Sequence, residues 1–136
     1  MRLDQARRPW PLLPRQPIVQ LFRESIEDIL ASPQTSTGPR RAAYDLVYCT
    51  GLFDYLGDDV CSALLRICQS WLRPGGLLLA SNVHPANPQR HCMEHLVEWR
   101  LIYRDEAQLR ALAAPGNEAR VYADATGLNV FLSLRG

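Results

Sequence analysis

The sequence lacks the short motifs by which several enzyme classes are recognised. None of its 136 residues forms a GxGxG turn, a GxSxG nucleophile turn or a GxxxxGK[ST] phosphate loop. A GxSxG turn exposes a nucleophilic serine, and the phosphate loop surrounds a phosphate with backbone N–H groups. The sequence therefore offers no support for a serine hydrolase or a P-loop NTPase.

The sequence also contains no lysine, and its charges almost cancel. All 15 basic residues are arginines, 14 residues are acidic, and the net charge is +1 at pH 7. A protein that binds nucleic acid through the phosphates usually carries a clear excess of positive charge. We therefore expect no nucleic-acid partner. The planar arginine guanidinium does suit carboxylate and phosphate partners.

The cysteines show neither a disulfide pattern nor a metal-binding pattern. They are Cys49, Cys61, Cys68 and Cys92, irregularly spaced and without a CxxC pair. We interpret them as reduced, mostly buried thiols. His91 and His95 are four residues apart, so on a helix they would lie on one face and could bind a metal ion together. Since no matching carboxylate signature accompanies them, we interpret this face as solvated or packed and expect no metal.

A long apolar run is missing as well. No stretch approaches the roughly 18 apolar residues of a membrane-spanning helix. Arg7 and Arg8 form a twin arginine, but prolines follow it in place of the apolar segment of a secretion signal. We therefore expect a cytoplasmic protein with no membrane span.

The composition is that of an ordinary folded domain. Hydrophobic residues make up 47% of the chain and charged residues 21%, which argues against wholesale disorder. The length suits a single domain. Residues 1–17 are predicted to be irregular. Residues 31–43 collect Pro, Ser, Thr and Gly without periodicity, which indicates a loop.

The order of apolar segments predicts an α/β fold. A strand is expected at 18–25, and a short helix capped by Ser25 begins at Ile26. The strand YDLVYC at 44–49 precedes a helix from Asp58 to about Leu72.

Further along, RPGG at 73–76 is predicted to stop that helix and lead into the strand LLLASNV. The apolar run Leu77 to Ala80 is typical of a parallel strand that is covered on both faces. One or two helices are expected between Met93 and Ala113. The segments EARVYAD and LNVFLSL predict an antiparallel hairpin at the end of the sheet.

Three stretches then resemble the C-terminal part of class I S-adenosylmethionine-dependent methyltransferases. They are YDLVYCTGLFDYL, LRPGGLLLASNVHPANP and HLVEWRLIYRDEAQL, followed by the hairpin. GLFDYL, NVHPANP and EWRLIYRDEAQ are similar to bacterial proteins of 3-hydroxypalmitic acid methyl ester biosynthesis. The resemblance implies an incomplete Rossmann-like sheet, mostly parallel with a C-terminal antiparallel hairpin and with helices on both faces. It also implies S-adenosylmethionine as cofactor.

In that family a glycine-rich turn after the first strand holds the cofactor, and an acidic residue about 20 positions later binds the ribose. Asp4 resembles that acidic residue, although a carboxylate near a chain start can also be merely solvated. The resemblance implies that the glycine turn and the first strand belong before Met1. We therefore expect a truncated enzyme with impaired cofactor binding. Its sheet edge beside Leu46 and Val47 would be exposed and open to self-association.

The resemblance implies that the cofactor lies beyond the carboxyl ends of the parallel strands. The cofactor-binding residues would be Asp4, Ser25, Ile26, Cys49, Thr50, Gly51, Leu52 and Phe53. Gly51 would let the backbone approach the ligand, and Leu52 and Phe53 would line the apolar side of the cleft. For Ser25 and Ile26, a helix cap and a core residue remain an equally good interpretation.

The catalytic candidates His84, Asp54 and Tyr55 follow the ends of the two predicted parallel strands. His84 could act as a base because its unperturbed pKa lies near neutral pH, or it could be structural. Asp54 could instead begin the next helix, with Tyr55 packed on it. The predicted substrate-binding residues are Asn82, Asn87, Tyr103 and Arg104. The last two could alternatively lie on a helix surface.

Methyl transfer needs little acid–base chemistry, because positioning of the reactants supplies most of the acceleration. A carboxylate acceptor is already ionised at pH 7 and needs no base. We therefore expect a small or lipid-like acceptor, such as a fatty-acid carboxylate. The alternative is an inactive methyltransferase remnant that binds a protein partner through the exposed sheet edge.

Overall fold

The structure is a computed structural model that describes residues 21–32 and 42–136. Asp4, the segment 1–17 and most of the predicted loop at 31–43 lie outside the described residues. The helices are α1 (Ile26–Ala31), α2 (Asp58–Trp71), α3 (Arg90–Leu96) and α4 (Glu106–Ala111), with a short 3-10 turn at Phe53–Tyr55. The strands are β1 (Tyr44–Cys49), β2 (Leu72–Val83), β3 (Arg120–Ala123) and β4 (Asn129–Arg135).

The four described strands form one sheet in the order β1-β2-β4-β3. β1 and β2 run parallel, with Val47 opposite Leu78, and α2 connects them. β4 is antiparallel to both β2 and β3. The predicted α/β class, the parallel pair and the C-terminal hairpin are confirmed.

One face of this sheet forms the hydrophobic core. Strand side chains alternate between faces, and on the core face Leu78 and Ala80 of β2 are at most 1% exposed. Beside them lie Val130, Leu132 and Leu134 of β4, which are equally buried. α2 packs on this face through Cys61 and Leu65, and α4 through Leu109, with Leu112 just after the helix.

The opposite face is more open within the described part of the chain. Leu77 and Leu79 are only half-buried, so the prediction that the run Leu77 to Ala80 is covered on both sides is not met by these residues. Leu46 and Tyr48 of β1 are 52% and 69% exposed. A cavity of about 740 Å³ lies on this face, with Leu77, Leu79, Arg120, Tyr122, Ser133 and Arg135 in its lining.

The helix ends just before RPGG, as predicted, but RPGG is not the connection between the helix and the strand. α2 already ends at Trp71, and residues 73–76 lie within β2. These residues bulge out of register with β1, and Gly75 adopts a φ of +80°. The backbones of Gly75 and Gly76 hydrogen-bond with Gly136 beyond the end of β4. Gly136 therefore stabilises an extended path that the local sequence did not indicate.

At the N-terminal side, the predicted strand at 18–25 is wrong for the described residues, since 21–25 form no strand. Leu21 and Phe22 are 53% and 48% exposed, so burial gives no support to a strand there. Residues 18–20 lie outside the described residues. The predicted cap of α1 is confirmed, because Ser25 and Asp28 form a reciprocal capping box.

Between β2 and the hairpin, the expected helical region contains two short helices. α3 begins at Arg90, three residues before the predicted start, and α4 is capped by Asp105. No helix of the described residues has the length and apolar character needed to cross a bilayer.

Candidate functional site

The candidate site lies where the parallel strands β1 and β2 end. The carboxyl ends of neighbouring parallel strands meet at one edge of a sheet, which is where α/β proteins bind ligands. After β1 the chain turns at Gly51, which has a φ of +74°, and then forms the 3-10 turn Phe53–Tyr55. After β2 it continues into a loop that begins at His84 and ends before α3. The site is therefore built from these two loops and the segment before α4.

Asp54 links these loops from a buried position. Its side chain is 5% exposed in the fold, and Oδ1 accepts a hydrogen bond from the backbone N–H of Val83 at 2.7 Å. Its backbone carbonyl accepts from the N–H of Ile102 at 2.8 Å. Burial raises the pKa of Asp54, although the Val83 N–H and the charge of Arg104 oppose the shift. The geometry therefore favours a structural role for Asp54 over the predicted catalytic one.

Arg104 is the centre of this buried network. Nε and Nη2 donate to Oδ1 of Asp58 at 2.9 and 2.6 Å. Nη1 donates to the carbonyl of Phe53 and to Oδ1 of Asn82, both at 2.8 Å, and Nη2 also donates to the carbonyl of Leu56 at 2.7 Å. These bonds engage all five N–H groups of the guanidinium.

The carboxylate that binds Arg104 thus belongs to the chain itself. The Arg104 side chain is 3% exposed, whereas that of Asp58 is 73% exposed. Because no N–H group remains for a substrate, the geometry favours a structural role for Arg104 over the predicted substrate contact. The alternative that Arg104 lies on the surface of a helix is wrong too, because Arg104 is buried and lies before the start of α4.

The side chain of Asn82 is also hydrogen-bonded within the protein. It is fully buried, its Nδ2 donates to the carbonyls of Ile102 at 2.7 Å and Val83 at 3.3 Å, and its Oδ1 accepts from Arg104. Every hydrogen-bonding group of the amide except one oxygen lone pair is therefore used. Asn82 holds the end of β2 to the segment before α4.

His84 follows β2 and uses both ring nitrogens. Nδ1 accepts from the backbone N–H of Ala86 at 3.0 Å, so Nε2 carries the proton and donates to Glu106 at 3.2 Å. In this arrangement the ring has no lone pair available to a substrate. Asn87 lies in the same loop, buried, where its Oδ1 accepts from the N–H of Gln89 at 2.8 Å. Both side chains shape the loop.

The two tyrosines differ in their surroundings. Tyr55 is 55% exposed, and its hydroxyl accepts from Nε1 of Trp99 at 2.8 Å. The hydroxyl of Tyr103 is buried, with no hydrogen-bond partner in the described part of the chain. Burial, followed by the Glu94 carboxylate, raises the pKa of Tyr103. The guanidinium of Arg90 lies 4.4 Å from the Tyr103 ring centre.

The residues predicted to face the cofactor divide into two groups. Thr50 and Gly51 are exposed at the end of β1, and a Cβ added at Gly51 would meet no atom within 4 Å. Phe53 is 1% exposed and belongs to the core, and Leu52 packs against it. The prediction that these two side chains line a cleft is therefore wrong for Phe53 and unsupported for Leu52.

Cys49 is half-buried, and burial together with the nearby Cys61 raises its pKa to about 11. The side chain of Ser25 is engaged with Asp28, and Ile26 is half-buried on α1. The predicted cofactor contacts of Ser25 and Ile26 stay predictions, as does the role of Asp4, which lies outside the described residues.

No metal centre is present in residues 21–32 and 42–136, where no three His, Cys, Asp or Glu side chains are grouped so as to bind an ion. The rings of His91 and His95 stack on α3 with their centres 6.1 Å apart. Both residues are exposed to solvent.

Sequence reasoning missed three partners in the site. Asp58 was predicted only to begin a helix, and no role was predicted for Glu106 or Trp99. A signal existed for Asp58, because a buried arginine requires a carboxylate or several carbonyls. Nothing local to Glu106 or Trp99 indicated their partners, His84 and Tyr55, which lie 22 and 44 residues away.

Comparisons with known proteins identify the fold. No protein-family model and no curated protein matches the sequence. Among solved structures, a possible exported protein from Bordetella parapertussis has a TM-score of 0.59 and 26% identity, over 70% of this chain and 39% of its own. An O-methyltransferase family protein from Burkholderia thailandensis has a TM-score of 0.56 and 15% identity, over 85% and 35%.

A presumed O-methyltransferase from Nostoc punctiforme has a TM-score of 0.51 and 16% identity, over 72% of this chain and 33% of its own. These likenesses show that the described sheet has the fold of O-methyltransferases, as the sequence resemblance implied. The chain spans between 33% and 39% of the length of these three structures. The narrower similarity to 3-hydroxypalmitic acid methyl ester biosynthesis proteins stays a prediction.

Proposed function

We propose that this chain carries the C-terminal part of an S-adenosylmethionine-dependent methyltransferase whose acceptor is a small or lipid-like carboxylic acid. The observation that carries the proposal is the parallel pair β1–β2, which ends in loops at one sheet edge, within a fold shared with O-methyltransferases. This edge is the ligand-binding edge of α/β sheets in general.

The described site suits an acceptor that needs no proton removed. Both nitrogens of His84 are hydrogen-bonded, and Asp54 is 5% exposed, so neither presents an accessible base. A carboxylate is ionised at pH 7. Its oxygen would form a bond to the methyl carbon while the carbon–sulfur bond breaks and sulfur retains the electron pair, so that no proton moves.

The end of β1 has room for the cofactor. The backbone at Thr50 and Gly51 is exposed, and the space beside the Gly51 Cα is open. S-adenosylmethionine supplies an activated methyl group when bound, and these two residues would contact it. The raised pKa of Cys49 keeps its thiol protonated near neutral pH, and a thiol is a much poorer methyl acceptor than a thiolate.

We further propose that this chain alone binds the cofactor weakly, because none of its 136 residues forms the GxGxG turn. Isothermal titration of the full chain with S-adenosylhomocysteine should give binding only in the millimolar range. Gly51→Val should abolish it, because the added side chain fills the open space and is strained at a φ of +74°. Gly57→Ala is the control, since Gly57 has a φ of −65° and equally open surroundings. Absence of any heat at millimolar ligand contradicts a cofactor site in this chain.

The acceptor is tested separately with a labelled methyl donor at millimolar concentration. Hexadecanoic acid should yield its labelled methyl ester, whereas hexadecan-1-ol, which has the same chain without the carboxylate, should yield no product. Methylation of the alcohol alone would refute the carboxylate acceptor. Cofactor binding without methylation of either compound would refute the acceptor class and leave the cofactor site intact.

A second function is favoured by a different observation. The outer strand β1 exposes Tyr44, Leu46 and Tyr48, and no other described strand pairs with its free edge. We propose as the alternative that the chain is a catalytically inactive methyltransferase remnant that binds a protein through this edge. Binding of another strand at such an edge is a common mode of protein recognition.

A further inference from the structure

Two hydrogen-bond donors near the candidate site have no partner within the described part of the chain. One is the buried hydroxyl of Tyr103. The other is the outer end of the Arg90 guanidinium. Its Nε donates to Glu94 at 2.9 Å, whereas no described residue accepts from Nη1 or Nη2. Buried polar groups are normally hydrogen-bonded, so an exception such as the Tyr103 hydroxyl requires an explanation.

The two donors are neighbours. The guanidinium carbon of Arg90 lies 4.4 Å from the centre of the ring that carries the Tyr103 hydroxyl. This cation–π contact holds the guanidinium against the ring. Glu94, one helical turn further along α3, holds Nε from the other side of the fork. The two Nη groups are therefore presented in a defined orientation beside the hydroxyl.

Both residues belong to the segments that form the candidate site. The backbone N–H of Arg90 donates to the carbonyl of Asn87 at 3.0 Å, within the loop that follows β2. Tyr103 lies in the segment before α4, where the N–H of the preceding Ile102 donates to the carbonyl of Asp54 at 2.8 Å. Arg90 and Tyr103 thus lie near the edge at which the parallel strands end.

These donors are suited to a carboxylate. The two Nη groups of an arginine match the two oxygens of a carboxylate in spacing and direction. Burial, followed by the Glu94 carboxylate, raises the pKa of Tyr103, so the hydroxyl keeps its proton at neutral pH and can donate it to an anion. The Glu94 carboxylate does not accept from this hydroxyl.

We propose that Arg90 and Tyr103 bind the carboxylate of the methyl acceptor. Arg90, whose side chain is 40% exposed, meets the ligand first through its Nη groups. As the guanidinium moves off the ring towards the ligand, the hydroxyl is uncovered and donates to the same carboxylate. Arg90 thereby makes the substrate contact that the sequence predicted for Arg104. This inference rests on the proposed function and names the residues that recognise the acceptor.

Nuclear magnetic resonance of the full chain, with isotope-labelled arginine, tests the contact with Arg90. The Nε–Hε resonance of Arg90, identified by its loss in Arg90→Gln, should shift when octanoate is added at millimolar concentration. Octan-1-ol, which has the same chain length without the carboxylate, should not shift it. The resonance of Arg100, an exposed arginine, is the internal control and should stay in place. Equal shifts of the two arginines, or none for Arg90, would overturn the proposal.

Tyr103→Phe tests the hydroxyl, because it keeps the ring and removes only the donor. Its affinity for octanoate should fall by about tenfold, the effect of one hydrogen bond to a charged group. The urea concentration at the midpoint of unfolding, without ligand, should rise, since an unsatisfied buried group is removed. A lower midpoint would show that the hydroxyl has a partner inside the protein. That result, or an unchanged affinity, would refute its role in binding.

The failure of this inference can be told apart from failure of the proposed function. If hexadecanoic acid is methylated but octanoate leaves the Arg90 resonance in place, the inference is overturned and the methyltransferase proposal stands. If octanoate shifts that resonance but no acid is methylated, the carboxylate site stands and the proposed activity fails. The titration with S-adenosylhomocysteine tests the cofactor site independently of both.

Discussion

The guanidinium of Arg104 donates a hydrogen bond of 2.8 Å to the side-chain oxygen of Asn82, and both residues are buried. This contact joins the end of β2 to the segment before α4. Through Asp58 and the carbonyl of Phe53, the same guanidinium also holds the loop that follows β1. The edge of the sheet where the candidate site lies is therefore organised by a polar network inside the protein.

Replacement of Arg104 by Met should lower the free energy of unfolding substantially. The carbonyl of Phe53 and the oxygen of Asn82 would lose their donor, and each unsatisfied buried group costs about 1–3 kcal/mol, so we expect a loss of about 2–5 kcal/mol in urea unfolding. Arg100→Met, at an exposed residue of the same segment, should change stability by about 0.5 kcal/mol or less. Equal effects of the two variants would contradict the structural role of Arg104.

Arg104→Lys should not rescue stability. A lysine ammonium has three donors and lacks the planar fork that engages Asp58 twice. We expect the Lys variant to unfold at nearly the same urea concentration as the Met variant. Wild-type stability with lysine would show that charge alone, rather than the five-bond geometry, is what the site requires.

Asp54→Asn should alter how stability depends on pH. Burial raises the pKa of Asp54 above its ordinary value of 3.8, so the protonated form favours folding. This contribution is fully present below pH 3.8 and is lost as pH rises through the higher pKa of the folded state. Asn cannot ionise, and its side-chain oxygen can still accept from the Val83 N–H.

The free energy of unfolding of the Asn variant, minus that of the wild type, should therefore increase from pH 4 to pH 7. Urea unfolding at several pH values measures this difference. A difference that stays constant across this range would show that burial of the Asp54 carboxylate does not destabilise the folded protein.

Asp124→Ala should weaken the β3–β4 hairpin. Its carboxylate accepts from the hydroxyl and N–H of Thr126 and from the N–H of Leu128. The Thr126 hydroxyl contributes most to lowering the pKa of Asp124 to about 2. The stabilisation is present above pH 3.8 and is lost as pH falls towards 2.

Thermal unfolding at pH 7 should show a lower Tm for Asp124→Ala than for the wild type, and the gap should close near pH 2. Glu118→Ala, at an exposed residue just before β3, provides the control and should leave Tm unchanged. A Tm gap that persists unchanged at pH 2 would mean that the ionised carboxylate is not what stabilises the turn.

Leu132→Ala should strongly lower the free energy of unfolding. Leu132 is fully buried on β4, in the cluster shared with α2 and α4. Truncation of a buried leucine costs about 2–5 kcal/mol, depending on how far the cavity collapses. Leu96→Ala, at a residue that is 78% exposed, should cost about 0.5 kcal/mol or less in the same unfolding experiment.

Local patterns predicted the regular elements that the described residues contain. The run YDLVYC and the apolar stripe of α2 indicated a strand and a helix, and the bounds agree with Tyr44–Cys49 and Asp58–Trp71. Hydrophobic periodicity is enough to predict these two elements because each of them buries one face. It failed at residues 21–25, where the apolar residues lie exposed and no strand forms.

The roles of the site residues were predicted less well. Asp54, Asn82 and Arg104 were expected to meet a ligand, but Arg104 donates to Asn82, and the Asp54 carboxylate accepts from the Val83 N–H. A sequence pattern indicates that a polar residue lies near a strand end. It does not indicate whether the hydrogen-bonding groups are already satisfied by residues 22 to 51 positions away.

The sequence by itself determined the α/β order, the parallel pair and the C-terminal hairpin, because hydrophobic periodicity and glycine and proline signals act over a few residues. Only the tertiary structure decided which polar groups are used within the protein. It also decided that Tyr44, Leu46 and Tyr48 are exposed on β1, with which only β2 pairs among the described strands. Both outcomes depend on which distant segments pack together, and burial and hydrogen bonding between such segments leave no local signature.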